Sequence, residues 1–501
     1  MKLTLINQGR EITREVAPGS NLLDEIRKAS LPLAAPCGGR GICNKCRVNV
    51  LGEGTLPACD YTIDHPVTVS VGDLPPMQIL SESYFPDWTH MAGRSKSGRE
   101  GIGVAVDLGT TTVVVFLEDL ATGKNLGVRS FVNPQQAFGA DVISRILYTQ
   151  QNPGGLEMLR KVVSEPIEEA VLDLCQRHKT NSTSLGPMVI TGNTTMLHIF
   201  RGTDPVPLSV YPFTPLFIEE VKLNPSEAGF NRISPEAVIL MPGISAYVGA
   251  DIAAGLAAID WPEPGTYDLY LDIGTNGEMA LIGHDRILTC ATAAGPAFEG
   301  ARISCGMGGV SGAVSALGMH RFETIDNLPP AGLCGSGLVD AVAMLLEEGL
   351  IDPSGYAEKD LVLMTENLHG RHPALSLTPQ DIREVQLAKA AIAAGIRILR
   401  EDPGHNLSVQ GHVEVNRLWL AGGFGYALHP QSAGRIGLIP KDLVERTIQV
   451  GNMAGLGARF LLHDPLYRER LMEVQRKTEY LELSQVETFN DLFVMSMGFE
   501  E

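Results

Sequence analysis

The sequence is short of positive charge and lacks long apolar runs. Its 501 residues contain 39 Lys and Arg against 58 Asp and Glu, a formal net charge of −19. This deficit argues against a nucleic acid or an anionic membrane surface as a general partner, because both require a basic face. No stretch of about 18 residues is apolar enough to span a bilayer, and the N-terminal residues lack the apolar core of a secretory signal. We therefore expect a cytoplasmic protein that binds neither nucleic acid nor membrane.

Disulfide bonds are also not expected, since thiols in the cytoplasm stay reduced. The eight Cys are unevenly spread along the chain. Four fall within the first 59 residues and are candidate metal ligands: Cys37, Cys43, Cys46 and Cys59. The other four are scattered. Cys290, Cys305 and Cys334 have no C-x2-C spacing and sit among small residues, which favours buried packing side chains over a second cluster.

The N-terminal segment has the pattern of a small α+β module. Residues 2–7 and 11–16 are predicted strands, Ser20 is the predicted cap of a short helix, and strands are predicted at 46–51 and 66–71. Hairpin, helix, loop and two further strands are typical of a β-grasp fold.

The cysteine loop has the spacing C-x5-C-x2-C, followed after 12 residues by Cys59. Three thiolates on one Gly-rich loop can converge on a small inorganic cluster, and glycine allows the positive φ that turns amides toward sulfur. A structural zinc site with four Cys ligands is the alternative, but it usually shows two C-x2-C pairs, and only one is present. We interpret the motif as a 2Fe–2S site. Residues 1–75 resemble a 2Fe–2S ferredoxin of this spacing, although the interval from Cys46 to Cys59 is shorter than in most.

Residues 76–101 are rich in Pro, Gly and Ser and are predicted to be a linker. Beyond it, a short motif occurs twice, 165 residues apart. Each copy is an apolar strand that ends in Asp-x-Gly-Thr and continues into a second strand. The first copy supplies Asp107, Gly109, Thr110 and Thr111, and the second supplies Asp272, Gly274 and Thr275. This repeat predicts two similar lobes, at residues 102–265 and 266–501, that face a common cleft.

The repeated turns suit the binding of phosphate. Backbone amides and hydroxyls can donate to phosphate oxygens, while Asp107 and Asp272 can hold Mg²⁺ through its waters or orient an attacking water. Further Gly-rich turns are also predicted to bind parts of a nucleotide. Gly335 precedes an apolar helix, whose N-terminus favours anions, and Gly422, Gly423 and Phe424 end a strand where a nucleotide base could lie. Residues 192–195 are the expected counterpart of that last turn in the first lobe.

Together these turns resemble the superfamily of acetate and sugar kinases, heat-shock chaperone ATPases and actin. By this resemblance Asp107, Gly109, Thr110 and Thr111 form the first phosphate motif, and Asp272, Gly274 and Thr275 form the second. Gly422, Gly423 and Phe424 match the adenosine motif. The implied fold is an α/β body of two RNase-H-like lobes with ATP and Mg²⁺ between them, after the ferredoxin.

Nearly the whole chain resembles the reductive activators of corrinoid proteins, through segments such as 133–146, 190–200, 292–309 and 478–484. That resemblance implies that an electron passes from the 2Fe–2S cluster to Co(II) of a corrinoid protein in a methyltransferase system, driven by ATP. It also implies a low-potential ferredoxin or flavodoxin as electron donor, and leaves a homodimer open. Larger members of this activator family have extra linker and middle segments between the ferredoxin and the ATPase. In this chain we expect only the short linker between them.

Two other functions stay open from the residues alone. One is an ATP-gated electron donor to a different low-potential acceptor, in the manner of dehydratase activators. The other is a redox sensor whose body only binds nucleotide. Two further side chains have competing interpretations: His198 is expected to pack in the core rather than to bind a corrinoid, and Glu299 could either position Mg²⁺ or water, or have a surface or cap role.

Overall fold

The computed structural model describes residues 1–7, 10–29, 31, 33, 35, 39, 41, 46–72, 98–318, 321–364, 375–401 and 412–499. They divide into two compact units. The first unit contains Met1–Pro76 and Glu100–Leu240, and the second contains Met241–Glu501. Each helix in this described part of the chain is too short or too polar to cross a membrane.

The first unit begins with a module built on a mixed sheet. The strands of the module are β1 Lys2–Asn7, β2 Arg10–Glu15, β3 Ser20–Asn21, β4 Arg47–Val50, β5 Gly54–Pro57, β6 Thr62–Ile63 and β7 Val67–Ser70. Five of them form one sheet in the order β2-β1-β7-β4-β5, in which β7 runs parallel to β1. Leu3, Leu5, Val67 and Val69 are buried at alternate strand positions, as expected for a sheet with one face on a core.

The helix of this module, α1, runs over Leu22–Lys28. The predicted cap at Ser20 is wrong by one residue. Asn21 caps the helix, since its side chain accepts a hydrogen bond of 3.0 Å from the Leu23 amide, whereas Ser20 pairs with Ile63 in a short strand. Leu22, Leu23 and Ile26 are buried in the core of the module.

The rest of the first unit is a six-stranded sheet with helices. Its strands are β8 Ile102–Leu108, β9 Thr112–Asp119, β10 Lys124–Val132, β11 Met188–Gly192, β12 Val221–Leu223 and β13 Val238–Leu240. They lie in the order β10-β9-β8-β11-β13-β12. The helices are α2 Val142–Gln151, α3 Gly155–His178 and α4 Thr194–Arg201. Short 3₁₀ turns cover Pro134–Ala137 and Val206–Leu208.

The second unit is built on another six-stranded sheet. Its strands are β14 Tyr267–Ile273, β15 Gly277–Ile282, β16 Ile287–Thr292, β22 Val415–Ala421, β23 Thr447–Gly451 and β24 Thr478–Tyr480, in the order β23-β22-β14-β15-β16-β24. Smaller sheets are formed by β17 Ala313–Gly318, β18 Arg321–Thr324 and β19 Gly332–Leu333, and by β20 Leu361–Met364 and β21 Leu375–Leu377.

Helices cover both faces of this second sheet. They are α5 Ala250–Ala258, α6 Gly335–Glu347, α7 Pro379–Glu401, α8 Gly422–Ala427, α9 Pro430–Arg435, α10 Met453–His463, α11 Pro465–Lys477 and α12 Phe489–Met495. The 3₁₀ turns are Pro296–Glu299, Ile325–Asn327, Lys441–Arg446 and Leu483–Gln485. Leu269, Leu271 and Ile273 form one core with α6 and α7. Tyr270 points to the other face, against Gly255 of α5.

The two large sheets share one strand order. In the first, β8, β9 and β10 form an antiparallel meander, and β11 and then β13 continue in parallel from β8. In the second, β14, β15 and β16 form the meander, and β22 and then β23 continue in parallel from β14. The predicted sequence repeat is therefore also a repeat of topology.

Candidate functional site

The first phosphate-type turn follows β8. Asp107 is the next-to-last residue of that strand, and the amide of Gly109 donates a 2.9 Å hydrogen bond to the carbonyl oxygen of Thr112. A Cβ atom at Gly109 would lie 2.7 Å from this oxygen, so the tight turn requires glycine. Thr110 and Thr111 are half-buried at the tip. The structure thus places the four predicted residues of this motif on one turn.

Side chains from elsewhere in the first unit hold this turn. Asn133 donates a 2.8 Å bond to the carbonyl of Gly109, and the guanidinium of Arg145 donates to the carbonyl of Thr110. Asn193 donates a 2.8 Å bond to the hydroxyl oxygen of Thr110. A hydroxyl that accepts this bond keeps its own hydrogen for a ligand, so Thr110 is set up as a donor.

Asn193 is held by the strand that precedes it. β11 ends at Gly192, which lies opposite Leu108 in the parallel register. A Cβ atom there would approach the Leu108 carbonyl oxygen to 2.5 Å, so this position also needs glycine. Asn193 then caps α4, and its Oδ1 accepts a 2.9 Å bond from the Met196 amide. The predicted turn at 192–195 is therefore a strand end and helix cap that contacts the phosphate-type turn.

The second phosphate-type turn joins β14 to β15. The amide of Gly274 donates a 2.8 Å bond to the carbonyl of Asn276. Thr275 donates a 2.8 Å bond to Oε1 of Glu299, a residue of the 3₁₀ turn after β16. Glu299 is thus more than a surface side chain, because it fixes the threonine hydroxyl of the predicted motif.

The predicted adenosine segment comes next to this turn. Ala421 lies opposite Asp272 in the register of β22 with β14. A Cβ atom at Gly422, whose φ is +82°, would collide with Oδ1 of Asp272. Gly422, Gly423 and Phe424 were expected to form a turn, but they begin the short helix α8, because the chain enters helical conformation directly after Gly422.

Gly335 and Phe424 are also brought together. A Cβ atom at Gly335 would collide with the Phe298 carbonyl and lie 2.7 Å from the Phe424 ring. The rings of Phe298 and Phe424 stack with centroids 5.0 Å apart and planes at 14°. Gly335 is buried at the first residue of α6, so the N-terminus of that helix is packed beneath Phe424.

Asp272 belongs to a group of carboxyls in which Glu278 interacts with both Asp272 and Asp251. Glu278 lies directly opposite Asp272 in the antiparallel pair, so both side chains are on one face of the sheet. Burial, and then the charges of Asp251 and Asp272, raise the pKa of Glu278 well above its usual range. Burial likewise raises the pKa of Asp251, in the first turn of α5, to about 6. Such a group favours protons or a cation.

Glu278 and Asp251 are the functional candidates that sequence reasoning missed. Glu278 could have been found, since a three-residue loop between antiparallel strands places residue 278 opposite residue 272. Asp251 lies outside the repeat and offers no such signal. Within the described residues no three His, Cys, Asp or Glu side chains are arranged to hold a metal ion by themselves.

Of the four predicted cluster ligands, Cys37 and Cys43 lie outside the described residues, and Cys46 and Cys59 come together. The amide of Ala58 donates a 2.8 Å bond to the carbonyl of Cys46, and Asn21 donates a 2.7 Å bond to the carbonyl of Cys59. Burial, together with hydrogen bonding to the Cys46 thiol and to Asp60, raises the pKa of Cys59 to about 12. Cys59 is therefore a neutral thiol in the absence of a cation, and a coordinated metal ion would allow both cysteines to bind as thiolates.

The glycines of the cysteine loop have the backbone conformation that was predicted for them. Gly39 and Gly41, the two that the structure describes, have φ of +94° and +72°. L-residues with a side chain rarely adopt these values. The loop therefore depends on glycine at both positions.

The remaining candidates lie in packed surroundings. Cys290 and Cys334 are buried and Cys305 is half-buried, each with a free thiol. His198 is buried, stacks on Phe217 with centroids 4.3 Å apart, and has its pKa lowered by burial to about 4. Its ring also accepts a 3.1 Å bond from the amide of Leu216. This agrees with the packing interpretation of the histidine.

Two family models match the chain, and both describe parts of RACo. Residues 102–262 match the RACo middle region. Residues 266–501 match the C-terminal domain of RACo, the ASKHA domain, that is, the fold of the kinase, chaperone and actin superfamily. The expectation that the middle segments are missing from this chain is therefore wrong. The residues that match the middle region, 102–262, are nearly the same as the predicted first lobe at 102–265.

Similar proteins extend over nearly the full length. The corrinoid activation enzyme RamQ of Eubacterium limosum is 29% identical over 97% of each chain. A Co(II) methylated amine-specific corrinoid protein reductase of Methanosarcina barkeri is 25% identical over 79% of this chain and 77% of its own. The solved structure of a reductive activator for corrinoid, iron-sulfur protein is 28% identical, with a TM-score of 0.69, over 99% of this chain and 98% of that one. The chain therefore belongs to the family of reductive activators of corrinoid proteins.

Proposed function

We propose that this chain is an enzyme that uses ATP to reduce the cobalt of a corrinoid protein from Co(II) to Co(I). The observation that carries the proposal is the full-length similarity to a corrinoid activation enzyme and to a reductive activator. One electron is transferred to each Co(II) ion, and the resulting Co(I) can then accept a methyl group. The partner is the corrinoid protein of a methyltransferase system, and a low-potential ferredoxin or flavodoxin supplies the electron.

The ATP-handling residues are proposed from the two turns. Amides and hydroxyls at Gly109, Thr110 and Thr111, and at Gly274 and Thr275, donate to phosphate oxygens. Asp107 and Asp272 interact with Mg²⁺ through its waters or orient the attacking water, and Glu278 and Asp251 stand beside Asp272. The raised pKa of Glu278 supports this role, because a bound cation would relieve its repulsion by Asp251 and Asp272, and the pKa of Asp251, raised by burial, shows a second carboxyl that a cation would stabilise.

The adenosine part is proposed at Gly422, Gly423 and Phe424, with Gly335 beneath the Phe424 ring. Glycine at 422 is needed for the backbone to pass Asp272 without a clash. That closeness supports a role in which the adenosine segment and the second phosphate-type turn act together.

The N-terminal module, residues 1–75, is proposed to be a β-grasp ferredoxin that holds a 2Fe–2S cluster. Its sheet order, with a first hairpin and a last strand parallel to β1, supports the β-grasp assignment. Cys37, Cys43, Cys46 and Cys59 would be the ligands, and the adjacency of Cys46 and Cys59 fits them. When bound, the cluster would supply single electrons at low potential. The linker is proposed at 76–101, with lobes at 102–265 and 266–501.

The reaction can be tested directly. The purified protein is reduced, mixed with a Co(II) corrinoid protein and Mg-ATP, and Co(I) is followed by its absorption. We expect Co(I) to form only when ATP is present. If Co(I) is absent, or forms equally without ATP, the proposed function is wrong, and a dehydratase-type acceptor or a sensing role becomes the better explanation.

The cluster has its own test. Cys46→Ser should abolish the 2Fe–2S absorption and the bound iron and sulfide, because serine is a poor ligand for this cluster. The matched control is Cys175→Ser, since Cys175 is a buried cysteine of α3 that does not belong to the C-x5-C-x2-C motif. An intact spectrum in the first variant would contradict the ligand assignment. Zinc in place of iron would favour the structural-zinc alternative.

A further inference from the structure

One arginine connects the N-terminal module to the sheet of the first unit. Arg27, on α1, donates a hydrogen bond from Nε to the carbonyl oxygen of Ala137, 110 residues further along the chain. Its guanidinium also lies 5.7 Å from the centroid of the Phe138 ring, within the range of a cation–π interaction. The Phe138 ring in turn packs edge-on against Tyr148 of α2, with centroids 5.0 Å apart.

The same guanidinium reaches the cysteine loop. A Cβ atom at Gly39 would lie 3.7 Å from both Nη atoms of Arg27, so arginine and loop are in van der Waals range. Asp24 accepts a 3.1 Å bond from Nη1, which fixes the side chain on its helix. Only 10% of the Arg27 side chain is exposed. Among the described residues, Nη2 has no hydrogen-bond partner although it is buried.

The segment that receives Arg27 is also the segment that holds the first phosphate-type turn. Residues 133–139 contain Ala137 and Phe138, which Arg27 contacts, and Asn133 and Gln136, which reach the turn. The amide of Asn133 donates a 2.9 Å bond to the carbonyl of Thr111, and the Gln136 side chain donates a 3.4 Å bond to the same oxygen. We name residues 133–139 the bridging segment.

The bridging segment is rigidly held along its length. Gln135 donates a 2.9 Å bond to the carbonyl of Leu159. Arg145 donates to the carbonyl of Gly139 at 2.9 Å and to the carbonyl of Thr110 in the turn. A packed segment of this kind does not absorb a displacement at one end, because close-packed interiors transmit strain.

We propose that the bridging segment is a docking surface for the cluster-bearing module, and that nucleotide at the Gly109–Thr111 turn changes how firmly the module is held there through Arg27. This inference rests on the proposed function only in assigning nucleotide to that turn and the cluster to the module. Phosphate that draws the turn's amides and hydroxyls toward it also pulls on Asn133, Gln136 and Arg145. The carbonyl of Ala137 moves with them, and the Arg27 contact strengthens or weakens.

Thermodynamic linkage makes the coupling reciprocal. If nucleotide changes the docking equilibrium by some factor, loss of docking must change nucleotide affinity by the same factor. Arg27 lies on the module, and the described contacts place it against the bridging segment and not against the turn itself. A change in nucleotide affinity on its removal is therefore a signature of coupling.

The test uses the full-length, cluster-loaded protein. Hydrogen exchange of Leu22–Lys28 and of the bridging segment is measured with and without Mg-ATP, and Mg-ATP affinity is measured by calorimetry. In the wild type we expect Mg-ATP to change the protection of Leu22–Lys28 in either direction. In Arg27→Ala we expect that response to disappear and the Kd for Mg-ATP to shift at least about fivefold.

The matched control is Lys28→Ala, next to Arg27 on the same helix. The Lys28 side chain is 58% exposed and pairs with Glu25 within α1. It should keep both the wild-type exchange response and the wild-type Kd. Intact iron content and absorption in Arg27→Ala show that the module is folded. If that variant does not fold, Gln136→Ala removes one of the contacts between the bridging segment and the turn and should reduce the response of Leu22–Lys28.

The inference and the proposed function fail in distinguishable ways. A wild-type protein that binds Mg-ATP and reduces Co(II), but shows no change in exchange at Leu22–Lys28, overturns the coupling and leaves the function intact. An exchange response that persists in Arg27→Ala also overturns it. A clear coupling without any Co(I) formation contradicts the function alone.

Discussion

The two large sheets are built alike and yet present different chemistry at the same position. In both, a strand ends in Asp-x-Gly-Thr, and a glycine amide closes the turn onto a carbonyl two or three residues later. In both, the neighbouring parallel strand continues into a glycine, Gly192 or Gly422, where a side chain would strike the first strand. In both, a 3₁₀ turn that begins with proline follows the third strand and contacts the phosphate-type turn.

The difference lies in the neighbours of the two aspartates. Asp107 has Val114 and Thr191 opposite it in the two adjoining strands. Asp272 has Glu278 and Ala421. The first turn is therefore held by amide and guanidinium donors, while the second gathers carboxyls. We therefore propose that the two turns divide the work on the nucleotide: the first would mainly position phosphate, and the second would mainly handle the cation and the attacking water.

The largest effect should come from removing the charge of Asp272. We expect Asp272→Asn to lower ATP turnover about 100-fold or more, the usual order of loss when an electrostatic group leaves such a site. Asp107→Asn should cost only about tenfold, because its turn keeps the donors from Asn133, Arg145 and Asn193. ATP turnover is measured at saturating Mg-ATP.

Iron content should be unchanged in both of these variants, since neither aspartate lies in the N-terminal module. An Asp107→Asn variant that is as impaired as Asp272→Asn would break the division of tasks between the turns.

Substitution of Gly422, the residue that follows β22, should have the next largest effect on ATP turnover. Gly422→Ala places a Cβ atom on Oδ1 of Asp272, and a displaced reacting group costs about 10- to 100-fold in turnover. The control is Gly265→Ala, which has the same φ of +82° but nothing within 4 Å of its Cβ position. Both variants carry the strain of positive φ, so only the clash distinguishes them. Equal turnover in the two would remove the contact with Asp272 from the explanation.

The two strand–turn–strand segments could be predicted from the sequence, because each depends on residues that are close together in the chain. Strand, turn and second strand are contiguous in the chain, so an apolar strand that ends in Asp-x-Gly-Thr and runs into a second apolar strand predicted both hairpins. The cap at Ser20 was misplaced, because Ser20 and Asn21 have equal capping propensity, and only tertiary pairing of Ser20 with Ile63 decides between them.

The contacts that complete each site could not be predicted, because they join distant residues. Asn193 reaches Thr110 across 83 residues, and Arg145 reaches it across 35. Nothing in the local pattern of either residue marks it as a partner of the turn. Asp251 is similar, since its interaction with Glu278 arises only when α5 packs on the second sheet. Glu278 is the exception, because the strand register alone places it opposite Asp272.

A smaller effect is expected in the pH dependence of stability. Burial raises the pKa of Asp251 to about 6 from 3.8, so between these values the folded state binds more protons than the unfolded state. The free energy of unfolding therefore falls as pH rises from about 4 to 6. Asp251→Asn should remove about 1–2 kcal/mol of that fall, allowing for its partial exposure. The measurement is urea unfolding of both proteins in Mg²⁺-free buffer across that range.

Glu278 contributes a fall of the same sign in both proteins, but loss of the Asp251 charge also lowers the pKa of Glu278, so the difference between the two curves reports Asp251 together with its effect on Glu278. Parallel curves for the two proteins would mean that Asp251 is not desolvated in the folded protein. Fewer desolvated carboxyls would then lie near the second phosphate-type turn than the structure indicates.

The smallest effect should come from Asn193, which has two separable roles in the first turn. It caps α4, and loss of a cap costs about 0.5–2 kcal/mol of stability. It also holds the Thr110 hydroxyl, so Asn193→Ala should raise the KM for ATP roughly threefold with little change in kcat, the signature of lost ground-state binding. Asp464→Ala is the control, because Asp464 caps α11 in the second unit through the Leu466 amide. It should lose similar stability and keep the KM. If both variants raise the KM equally, the effect is one of stability alone, and the first turn would not need Asn193 to position phosphate.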